Sequence, residues 1–438
     1  MVAPLKVGLA GLGTVGASVV RLLERQREAL TLRCGRPIEI VAVSARTRGK
    51  DRGLDLRKLR WVTDPVKLAA DPAIDVFVEL MGGAGDPARG AVTAALKAGK
   101  SVVTANKALL ARHGVTLAAL AEKHGAALNF EAAVCGGIPV IKTLREGLAG
   151  NAIARIYGIL NGTCNYILSK MEQEKLAFDV CLMEAQRLGY AEADPTFDID
   201  GHDTAQKLSI LASLTFGTRV DPDAIYVEGI RSITTADLAA ADELGYRIKL
   251  LGVAVKTEKG IEQRVHPTMV PKDSAIAQVM GVTNAVTIDA EGIPPITLVG
   301  PGAGGMATAS SVVSDIADIA RGVRAAPFGR PTARLTTSRK APRQRHEGGY
   351  YIRLLAVDKP GTAATIAKRL AEQKISMESI VQRHRAPAGG DDPKAQGPVP
   401  VILVTYATTE DAVRKALAAV KRDRVISGEP QLIRIEKN

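Results

Sequence analysis

Aromatic side chains are scarce in this sequence. Only 3% of its 438 residues are Phe, Trp or Tyr, and tryptophan occurs once. Leucine, isoleucine, valine and alanine must therefore build the interior, and the apolar share of 46% is large enough for buried cores. Because domains of ordinary size would divide a chain of this length into about three, we expect an organisation in three parts.

Cysteine is also rare. Cys34, Cys135, Cys164 and Cys181 lie far apart and form no C-x-x-C pair, which argues against a disulfide framework and a cysteine zinc site. Scattered thiols are typical of a reduced cytoplasmic protein. Either Cys135 or Cys164 could be a reactive thiol, and the alternative is that both are small packed residues.

Long hydrophobic runs are absent. No stretch of ~18 apolar residues occurs, so the sequence predicts no membrane span. The first ten residues, M-V-A-P-L-K-V-G-L-A, lead directly into a predicted strand and do not have the pattern of a secretory signal. We therefore expect a cytoplasmic location and no membrane partner.

Positive charge exceeds negative charge, and the formal net charge is +12. Part of the excess lies in residues 330–348, a proline-containing segment with few apolar residues, which we interpret as a solvated linker. Its basic residues include Arg330, Arg334, Arg339, Lys340, Arg343 and Arg345. A nucleic-acid site would interleave basic and aromatic residues on a folded element, so no nucleic-acid partner is expected.

The first segment has the pattern of a dinucleotide fold. Residues 5–10 predict a strand, residues 17–28 predict a helix, and between them lie Gly11, Leu12, Gly13, Thr14, Val15 and Gly16. In a G-x-G-x-x-G pattern the glycines permit a tight turn, a close approach of a pyrophosphate and close packing of helix on strand. The N–H groups that begin the helix would face the phosphates. We therefore predict an α/β, doubly wound Rossmann-type domain.

The second strand, residues 38–43, should end near the adenosine ribose. Chains that bind NAD usually carry Asp or Glu at this point, but here the sequence is Ser44, Ala45, Arg46, Thr47, Arg48. An arginine can bind a 2′-phosphate, so the sequence favours NADP, with Arg46 as the first choice and NAD still possible. The alternative is that both arginines are merely exposed.

Two lysines are candidates for chemistry. Lys107 follows a strand expected at residues 101–104, and sites in open parallel sheets form beyond the carboxyl ends of strands. Lys207 ends an acid-rich stretch, residues 185–207, and shares one side of a predicted helix with Asp203, four residues earlier. The alternative interpretation of this stretch is a solvated acidic loop with a surface ion pair, which would contribute little stability.

The same stretches resemble a known family. The spacing A-x-x-x-G-Y-A-E-x-D-P-x-x-D-x-x-G-x-D-x-x-x-K at residues 185–207 resembles the signature of homoserine dehydrogenases. V-V-T-A-N-K-A-L-L-A at residues 102–111 and N-G-T at residues 161–163 resemble it too. The resemblance implies reversible NAD(P)H-dependent reduction of L-aspartate 4-semialdehyde to L-homoserine, in threonine and methionine biosynthesis. An ammonium group at the aldehyde oxygen would stabilise the developing charge and supply a proton.

The resemblance also implies roles for individual residues. Lys207 would be the proton donor, Lys107 would polarise the oxygen or relay the proton, and Asp203 would hold Lys207 in place. The substrate ammonium requires carboxylates, for which Glu192 and Asp198 are the candidates.

Further roles fall on three turns. Gly162 and Thr163 would bind the substrate carboxylate, and Gly304, in the glycine-rich loop 300–305, would approach the nicotinamide. A turn after residue 129 would hold a sodium ion through main-chain oxygens, a role that the family implies for Glu131, Val134, Gly136 and Ile138.

The remaining sequence predicts a catalytic sheet and a sensor. Short alternating runs from residue 227 onward predict an antiparallel or mixed sheet, whose open face favours a homodimer or homotetramer. The order β-α-β-β-α-β after residue 349, with D-K-P-G at residues 358–361, resembles a ferredoxin-like ACT domain and implies an amino-acid effector, threonine first. The loop 386–398 is longer than a tight hairpin. The expected divisions are a nucleotide domain, 1–135, to which a helix at 307–325 returns; an α+β catalytic and dimerisation domain, 136–306; the linker, 330–348; and the ACT domain, 349–438.

Two other classes of protein remain open. One is another NAD(P)-dependent aldehyde or amino-acid dehydrogenase, but an acylating aldehyde dehydrogenase needs a reactive cysteine with a histidine base, and Cys135 has no obvious histidine neighbour. The other is a non-catalytic amino-acid sensor that keeps only the scaffold. The presence of Lys107, Asp203, Lys207 and Glu192 argues against it.

Overall fold

A parallel sheet forms the first part of the computed structural model, which describes residues 2–337, 347–382 and 397–436. Within these ranges the sheet has six strands in the order β3-β2-β1-β4-β5-β6. The strands are β1 (Leu5–Ala10), β2 (Ile38–Ser44), β3 (Arg60–Trp61), β4 (Val76–Glu79), β5 (Ser101–Thr104) and β6 (Leu128–Asn129). The helices are α1 (Thr14–Arg25), α2 (Arg27–Cys34), α3 (Pro65–Ala70), α4 (Ala88–Lys97) and α5 (Lys107–Lys123). The order reverses between β1 and β4, as in Rossmann-type domains, so this prediction is confirmed.

Helices on both faces bury the parallel sheet, which is why β4 and β5 are inaccessible along their whole length. A later helix, α12 (Gly305–Ala320), returns to this part of the molecule. Its residues Val312 and Ile316 join Val19 and Leu23 of α1 in one buried cluster. Helix α12 therefore packs on α1; the helix expected at residues 307–325 begins at Gly305 and ends at Ala320.

A second, mixed sheet forms the rest of the molecule. Its strands follow the order β12-β11-β7-β9-β10-β17-β13-β15-β14, with β8 beside β10 and β16 beside β13. Before the linker they are β7 (Ile153–Ile159), β8 (Tyr226–Val227), β9 (Tyr246–Thr257), β10 (Gly260–Pro271), β11 (Thr283–Ala290) and β12 (Ile296–Pro301). After it come β13 (Glu347–Ala356), β14 (Met377–Gln382), β15 (Val399–Thr405), β16 (Thr408–Thr409) and β17 (Ile426–Ile435). The mixed catalytic sheet expected from the alternating runs is confirmed.

Helices of the middle part pack on this sheet. They are α6 (Val140–Lys142), α7 (Gly162–Glu174), α8 (Phe178–Arg187), α9 (Thr196–Ile199), α10 (His202–Phe216) and α11 (Thr235–Glu243). Helix α10 is buried over most of its length because Leu208 and Leu211 pack into the main core. It begins at Gly201, which has a φ of 88°, a left-handed conformation that favours glycine.

The last part adds α13 (Thr362–Glu372) and α14 (Glu410–Arg422), which pack against each other. Leaving aside the two-residue β16, this part has four strands, which lie in the order fourth, first, third, second, and neighbouring strands are antiparallel. Its fourth strand, β17, also pairs in parallel with β10 through Thr268–Arg434 and Met269–Ile435. The two parts therefore share one continuous sheet.

Some local expectations differ from the structure. The helix expected at residues 17–28 is broken at Gln26 into α1 and α2. Strand β6 ends at Asn129, and the Glu131 carboxylate accepts hydrogen bonds from the N–H groups of Ile141 and Lys142, which folds the chain back. Residues 386–396 of the predicted loop and residues 338–346 of the predicted linker lie outside the described residues. Across the described ranges, no helix is long and apolar enough to cross a bilayer.

Candidate active site

Two adjoining cavities lie at the carboxyl ends of β4 and β5. The smaller cavity, about 300 Å³, is lined by Val15, Asn106 and Cys135, on the side of the nucleotide domain. The larger, about 780 Å³, is lined by Glu192 and other residues of the acidic stretch. Both cavities are lined by Lys107 and Lys207. The two lysines therefore lie where a nucleotide-side space and a substrate-side space meet.

The carboxylate of Asp203 joins the two lysines. Lys207 Nζ lies 2.7 Å from Asp203 Oδ2, and Lys107 Nζ lies 3.2 Å from Asp203 Oδ1. Lys207 Nζ also donates to the carbonyl oxygen of Leu160 at 2.7 Å, and Asn161 Nδ2 donates to Asp203 Oδ2 at 2.9 Å. Segments that are far apart in sequence thus place two ammonium groups on one buried carboxylate.

Local structure explains the position of Lys107. Asn106 caps α5, since its side chain accepts a hydrogen bond from the N–H of Leu109, while its Nδ2 donates to the carbonyl of Gly83. Thr104 is held by Glu79, to which its hydroxyl donates at 2.6 Å. The capping residue therefore ties the end of β5 to the end of β4 and leaves Lys107 as the first residue of the helix.

The charges in this cluster shift each other's pKa. Burial would raise the pKa of Asp203, but Lys207 and Lys107 outweigh burial and hold that pKa at about 2. Burial would lower the pKa of Lys207, but Asp203 outweighs it and raises that pKa above its ordinary value. Burial, followed by the nearby Asp203, raises the pKa of Asp198. Lys207 is therefore a protonated donor at neutral pH.

The acidic stretch contributes two carboxylates to the larger cavity. Asp198 accepts a hydrogen bond from Asn161 Nδ2 at 2.9 Å, and Glu192 lies exposed at the rim. The carboxylates of Asp194 and Asp200 are engaged elsewhere, Asp194 with the N–H of Thr196 and Asp200 with Arg231. Of the acids in this stretch, those implied by the resemblance are the ones that line the cavity.

The N-terminus of α7 faces the same cavity through Gly162 and Thr163. Asn161 caps the helix by accepting from the N–H of Cys164 at 2.8 Å. The Thr163 hydroxyl donates its hydrogen to the Tyr190 carbonyl at 2.6 Å. Because that hydrogen is used, Thr163 can offer an anion its backbone N–H but not its hydroxyl proton.

The glycine-rich loop after β1 fits a dinucleotide. Gly11 has a φ of 102°, and a Cβ at Gly16 would collide with the Gly11 carbonyl oxygen, so both positions require glycine. A Cβ at Gly13 would meet no atom within 4 Å, which leaves open space in front of this residue. Leu12, Thr14 and Val15 complete the turn, from which α1 starts with its N–H groups free for an anion.

The second glycine loop approaches the first. Gly304, with a φ of 113°, caps α12 and lines the larger cavity. A Cβ at Gly305 would lie 2.7 Å from the Ser18 hydroxyl on α1. Glycine at this position therefore lets α12 start directly against the nucleotide-binding helix.

A third cavity, about 620 Å³, borders the loop after β2. The lining of this cavity includes Arg48, Lys50 and Trp61 but not Arg46, which is exposed in the same loop. Arg52, which the sequence interpretation did not single out, donates to the carbonyls of Leu12 at 3.0 Å and Thr47 at 2.7 Å and so ties this loop to the glycine turn. No sequence signal separates Arg52 from its basic neighbours.

The turn expected to hold a cation is buried. Three of its four carbonyl oxygens accept hydrogen bonds: Glu131 from the N–H of Val134, Gly136 from the Ser311 hydroxyl, and Ile138 from the N–H of Val140. Each such oxygen keeps a second lone pair, so coordination through Glu131, Val134, Gly136 and Ile138 is compatible with this geometry. In the described part of the chain, no cluster of three or more His, Cys, Asp or Glu side chains could hold a metal ion.

Cys135 lies in this turn, with a φ of 56°, and is fully buried. Burial raises the pKa of its thiol to about 11. The thiol is therefore un-ionised at neutral pH, which argues against a cysteine nucleophile. Cys164 is likewise buried, and burial raises its pKa well above the ordinary value.

Comparison with known proteins identifies the family. A family model described as "Homoserine dehydrogenase" matches residues 139–317, and one described as "Homoserine dehydrogenase, NAD binding domain" matches residues 11–131. The homoserine dehydrogenase of Pseudomonas aeruginosa is 45% identical over 441 residues, which cover 99% of both chains.

Solved structures agree with this. The crystal structure of a homoserine dehydrogenase from Thiobacillus denitrificans has 43% identity and a TM-score of 0.92, over 99% of this chain and 98% of that one. A hyperthermophilic archaeal homoserine dehydrogenase in complex with NADPH has 28% identity and a TM-score of 0.62, over 72% of this chain and 97% of that one. The chain belongs to the homoserine dehydrogenase family, NAD(P)-dependent oxidoreductases that act on a CH–OH group.

Proposed function

We propose that the paired cavities are the active site for the reversible reduction of L-aspartate 4-semialdehyde to L-homoserine. The observation that carries this proposal is the Asp203 carboxylate with Lys207 and Lys107 on its two oxygens. A carbonyl oxygen between these ammonium groups would be polarised in a buried setting, where such interactions are strong.

Lys207 donates the proton. A bound reduced cofactor would supply hydride for the aldehyde carbon, and the negative charge left on the aldehyde oxygen would require a proton donor there. An ammonium has three N–H donors, and two of those of Lys207 are used by Leu160 O and Asp203 Oδ2. The third is free to donate to the substrate oxygen, and its proton completes the alcohol.

Lys107 returns the proton. Its side chain is 34% exposed, whereas that of Lys207 is 11% exposed. Lys107 can therefore exchange protons with water and pass one to the buried cluster. Asp203 positions both lysines and does not carry the proton itself, because its pKa is held at about 2.

The substrate's charged ends are bound by different residues that line the larger cavity. Glu192 and Asp198 bind its ammonium group, and the backbone N–H groups of Gly162 and Thr163 bind its carboxylate. This assignment is supported by charge, since helix N-termini favour anions and carboxylates favour cations, and by the fact that all four residues line one space.

NADP is the proposed cofactor, with NAD as an alternative. Residues Gly11 to Gly16 would hold the pyrophosphate, Arg46 would bind the 2′-phosphate, and Gly304 would approach the nicotinamide. The absence of an acid after β2 supports a preference for NADP. A sodium ion at the turn formed by Glu131, Val134, Gly136 and Ile138 belongs to the same proposal.

The last part is proposed to be an ACT module that binds an amino-acid effector, threonine first, and regulates the enzyme. Its strand order, fourth-first-third-second, with α13 and α14 packed together, is that of a ferredoxin-like unit. The archaeal relative supports a separable module, since 72% of this chain covers 97% of that one. We also propose a cytoplasmic homodimer or homotetramer.

The function is tested by following NADPH consumption with aspartate semialdehyde. We expect turnover with this aldehyde and, in reverse, NADP reduction with homoserine. Activity with other aldehydes but not with this one would indicate a different dehydrogenase, and no activity with any aldehyde would indicate a sensor.

A further inference from the structure

A buried lysine lies outside the cluster described above. Lys249, on β9, is 1% exposed, and among the described residues no carboxylate forms an ion pair with it. Its Nζ donates to the carbonyl of Val279 at 2.6 Å and to Asn165 Oδ1 at 3.0 Å. Burying an ammonium without a counter-ion is costly. Fold stability therefore does not explain why a lysine occupies this buried position.

Asn165 extends this contact along one turn. Its Nδ2 lies within hydrogen-bond distance of three carbonyl oxygens, those of Val279 at 3.2 Å, Gly281 at 2.9 Å and Thr283 at 3.2 Å. Ser169, one turn further along α7, accepts from the N–H of Gly281 at 3.1 Å. Helix α7 therefore holds residues 279–283, the 279–283 turn, through polar side chains on its buried side.

The 279–283 turn forms a wall of the substrate cavity. Val282 and Thr283 line the larger cavity together with Gly162 and Thr163. A Cβ at Gly162 would lie 2.6 Å from the Val282 carbonyl oxygen, so the turn is pressed directly against the first residue of α7. The turn therefore lies beside the helix N-terminus that is proposed to bind the substrate carboxylate.

We propose that Lys249 and Asn165 are positioning residues that set the substrate-carboxylate side of the cavity by fixing the 279–283 turn against α7. The inference rests on the proposed function and extends it to residues that touch neither substrate nor cofactor. The Lys249 and Asn165 side chains supply hydrogen-bond donors to the backbone carbonyl groups of this turn. An apolar side chain of equal length would leave these oxygens unpaired.

The test is Lys249→Met, which keeps the length of the side chain and removes its donors. We expect KM for aspartate semialdehyde to rise by about tenfold, with kcat and KM for NADPH changed by less than about threefold, because ground-state binding of one substrate is lost. Lys256→Met, an exposed position on the same strand, is the matched control and should behave as wild type.

Two further variants keep the inference testable if Lys249→Met does not fold. Ser169→Ala removes one tether of the turn and should raise KM for aspartate semialdehyde alone, by about threefold. Lys249→Arg keeps the donors and should restore part of the affinity. Two results would overturn the inference. One is an equal change in KM for aspartate semialdehyde and KM for NADPH. The other is an unchanged KM for aspartate semialdehyde in both Lys249→Met and Ser169→Ala. An inactive wild type would instead overturn the proposed function.

Discussion

At the scale of single residues, the site is a small set of charged side chains that shift one another's pKa. Asp203 keeps Lys207 protonated, and the two lysines keep Asp203 ionised. Asn161 ties this cluster to Asp198, since its Nδ2 donates to both carboxylates. Removing any member therefore changes the electrostatics of the others, and single substitutions should have non-additive effects.

Lys207→Ala should lower kcat by about 10²–10⁴-fold, the usual range for a positioned acid. The substitution removes the buried ammonium that the Leu160 carbonyl and the Asp203 carboxylate hold. Stopped-flow or steady-state NADPH oxidation would measure the loss. Lys123→Ala, at the exposed end of α5, is the control, and near-normal turnover of the Lys207 variant would refute the assignment.

Arg46→Ala should raise KM for NADP far more than KM for NAD, because only NADP carries the 2′-phosphate. Parallel kinetics with both cofactors would measure the ratio. Arg33→Ala, an exposed arginine on α2, serves as a control for general loss of positive charge. Equal effects of Arg46→Ala on both cofactors would remove the 2′-phosphate argument.

Lys249 also predicts a pH dependence of stability. Burial, with a smaller contribution from Arg247 and opposed by Glu172, lowers the pKa of Lys249 to about 7, against about 10.4 in an unfolded chain. Between these values the unfolded chain binds more protons, so this group makes stability rise with pH. The Tm of wild type minus that of Lys249→Met should therefore increase from pH 7 to pH 9. A constant difference would contradict the lowered pKa.

At the scale of elements, glycines decide how closely helices approach the sheet. Gly16 lets α1 start against the turn at Gly11, and Gly305 lets α12 start against α1. These contacts bring the two glycine loops to one edge of the parallel sheet. Larger residues would separate the loop that is proposed to hold the pyrophosphate from the loop that is proposed to approach the nicotinamide.

Gly16→Ala should therefore weaken cofactor binding. Its Cβ would collide with the Gly11 carbonyl oxygen and displace the turn. We expect KM for NADPH to rise by about tenfold, which corresponds to about 1.4 kcal/mol. Gly49→Ala, whose Cβ would meet nothing within 4 Å, is the matched control. Fluorescence titration with NADPH would measure binding directly, and unchanged affinity in the Gly16 variant would contradict the close-packing argument.

At the scale of the whole molecule, the last part is joined to the catalytic part by a shared sheet and by buried charges. Asp237, inaccessible to solvent, accepts hydrogen bonds from the Tyr351 hydroxyl at 3.0 Å and from Arg353 Nε at 2.7 Å. Arg434 contacts Glu410 in its own part and Glu228 in the catalytic part. The segment around Glu228 continues to Ile230, whose N–H donates to the Ile199 carbonyl beside Asp198. The proposed sensor and the acidic stretch are thus one segment apart.

Deletion of residues beyond about 345 should spare chemistry and abolish any threonine response if the module is a separate domain. The deletion should also lower the Tm, because β10 would lose its pairing with β17 and Asp237 would lose its partners.

Asp237→Asn should destabilise the full chain by about 3 kcal/mol and the shortened chain by much less. Assays with and without threonine, beside thermal unfolding, would measure both effects. Loss of turnover in the shortened, folded chain would mean that the module supports the active site.

Local sequence patterns were sufficient to predict many of the strands, turns and helices of this protein. The glycine spacing after β1, the apolar strands and the four-residue separation of Asp203 and Lys207 each depend on neighbouring residues, and each predicted its element. The fold-back of the chain after Glu131 could not be predicted in this way, because the Glu131 side chain binds N–H groups about ten residues away. Local periodicity contains no information about such a contact.

Only the tertiary structure decided which distant groups meet. No local pattern states that Lys107 and Lys207 meet at one carboxylate, that Asn165 and Lys249 hold the 279–283 turn, or that β17 pairs with β10. The physical reason is that the sequence encodes which face of a helix or strand is buried, whereas the partner of that face depends on how whole elements pack. The sequence determined which reactive side chains this protein has, and the packing of its helices and strands decided which of them lie together in one site.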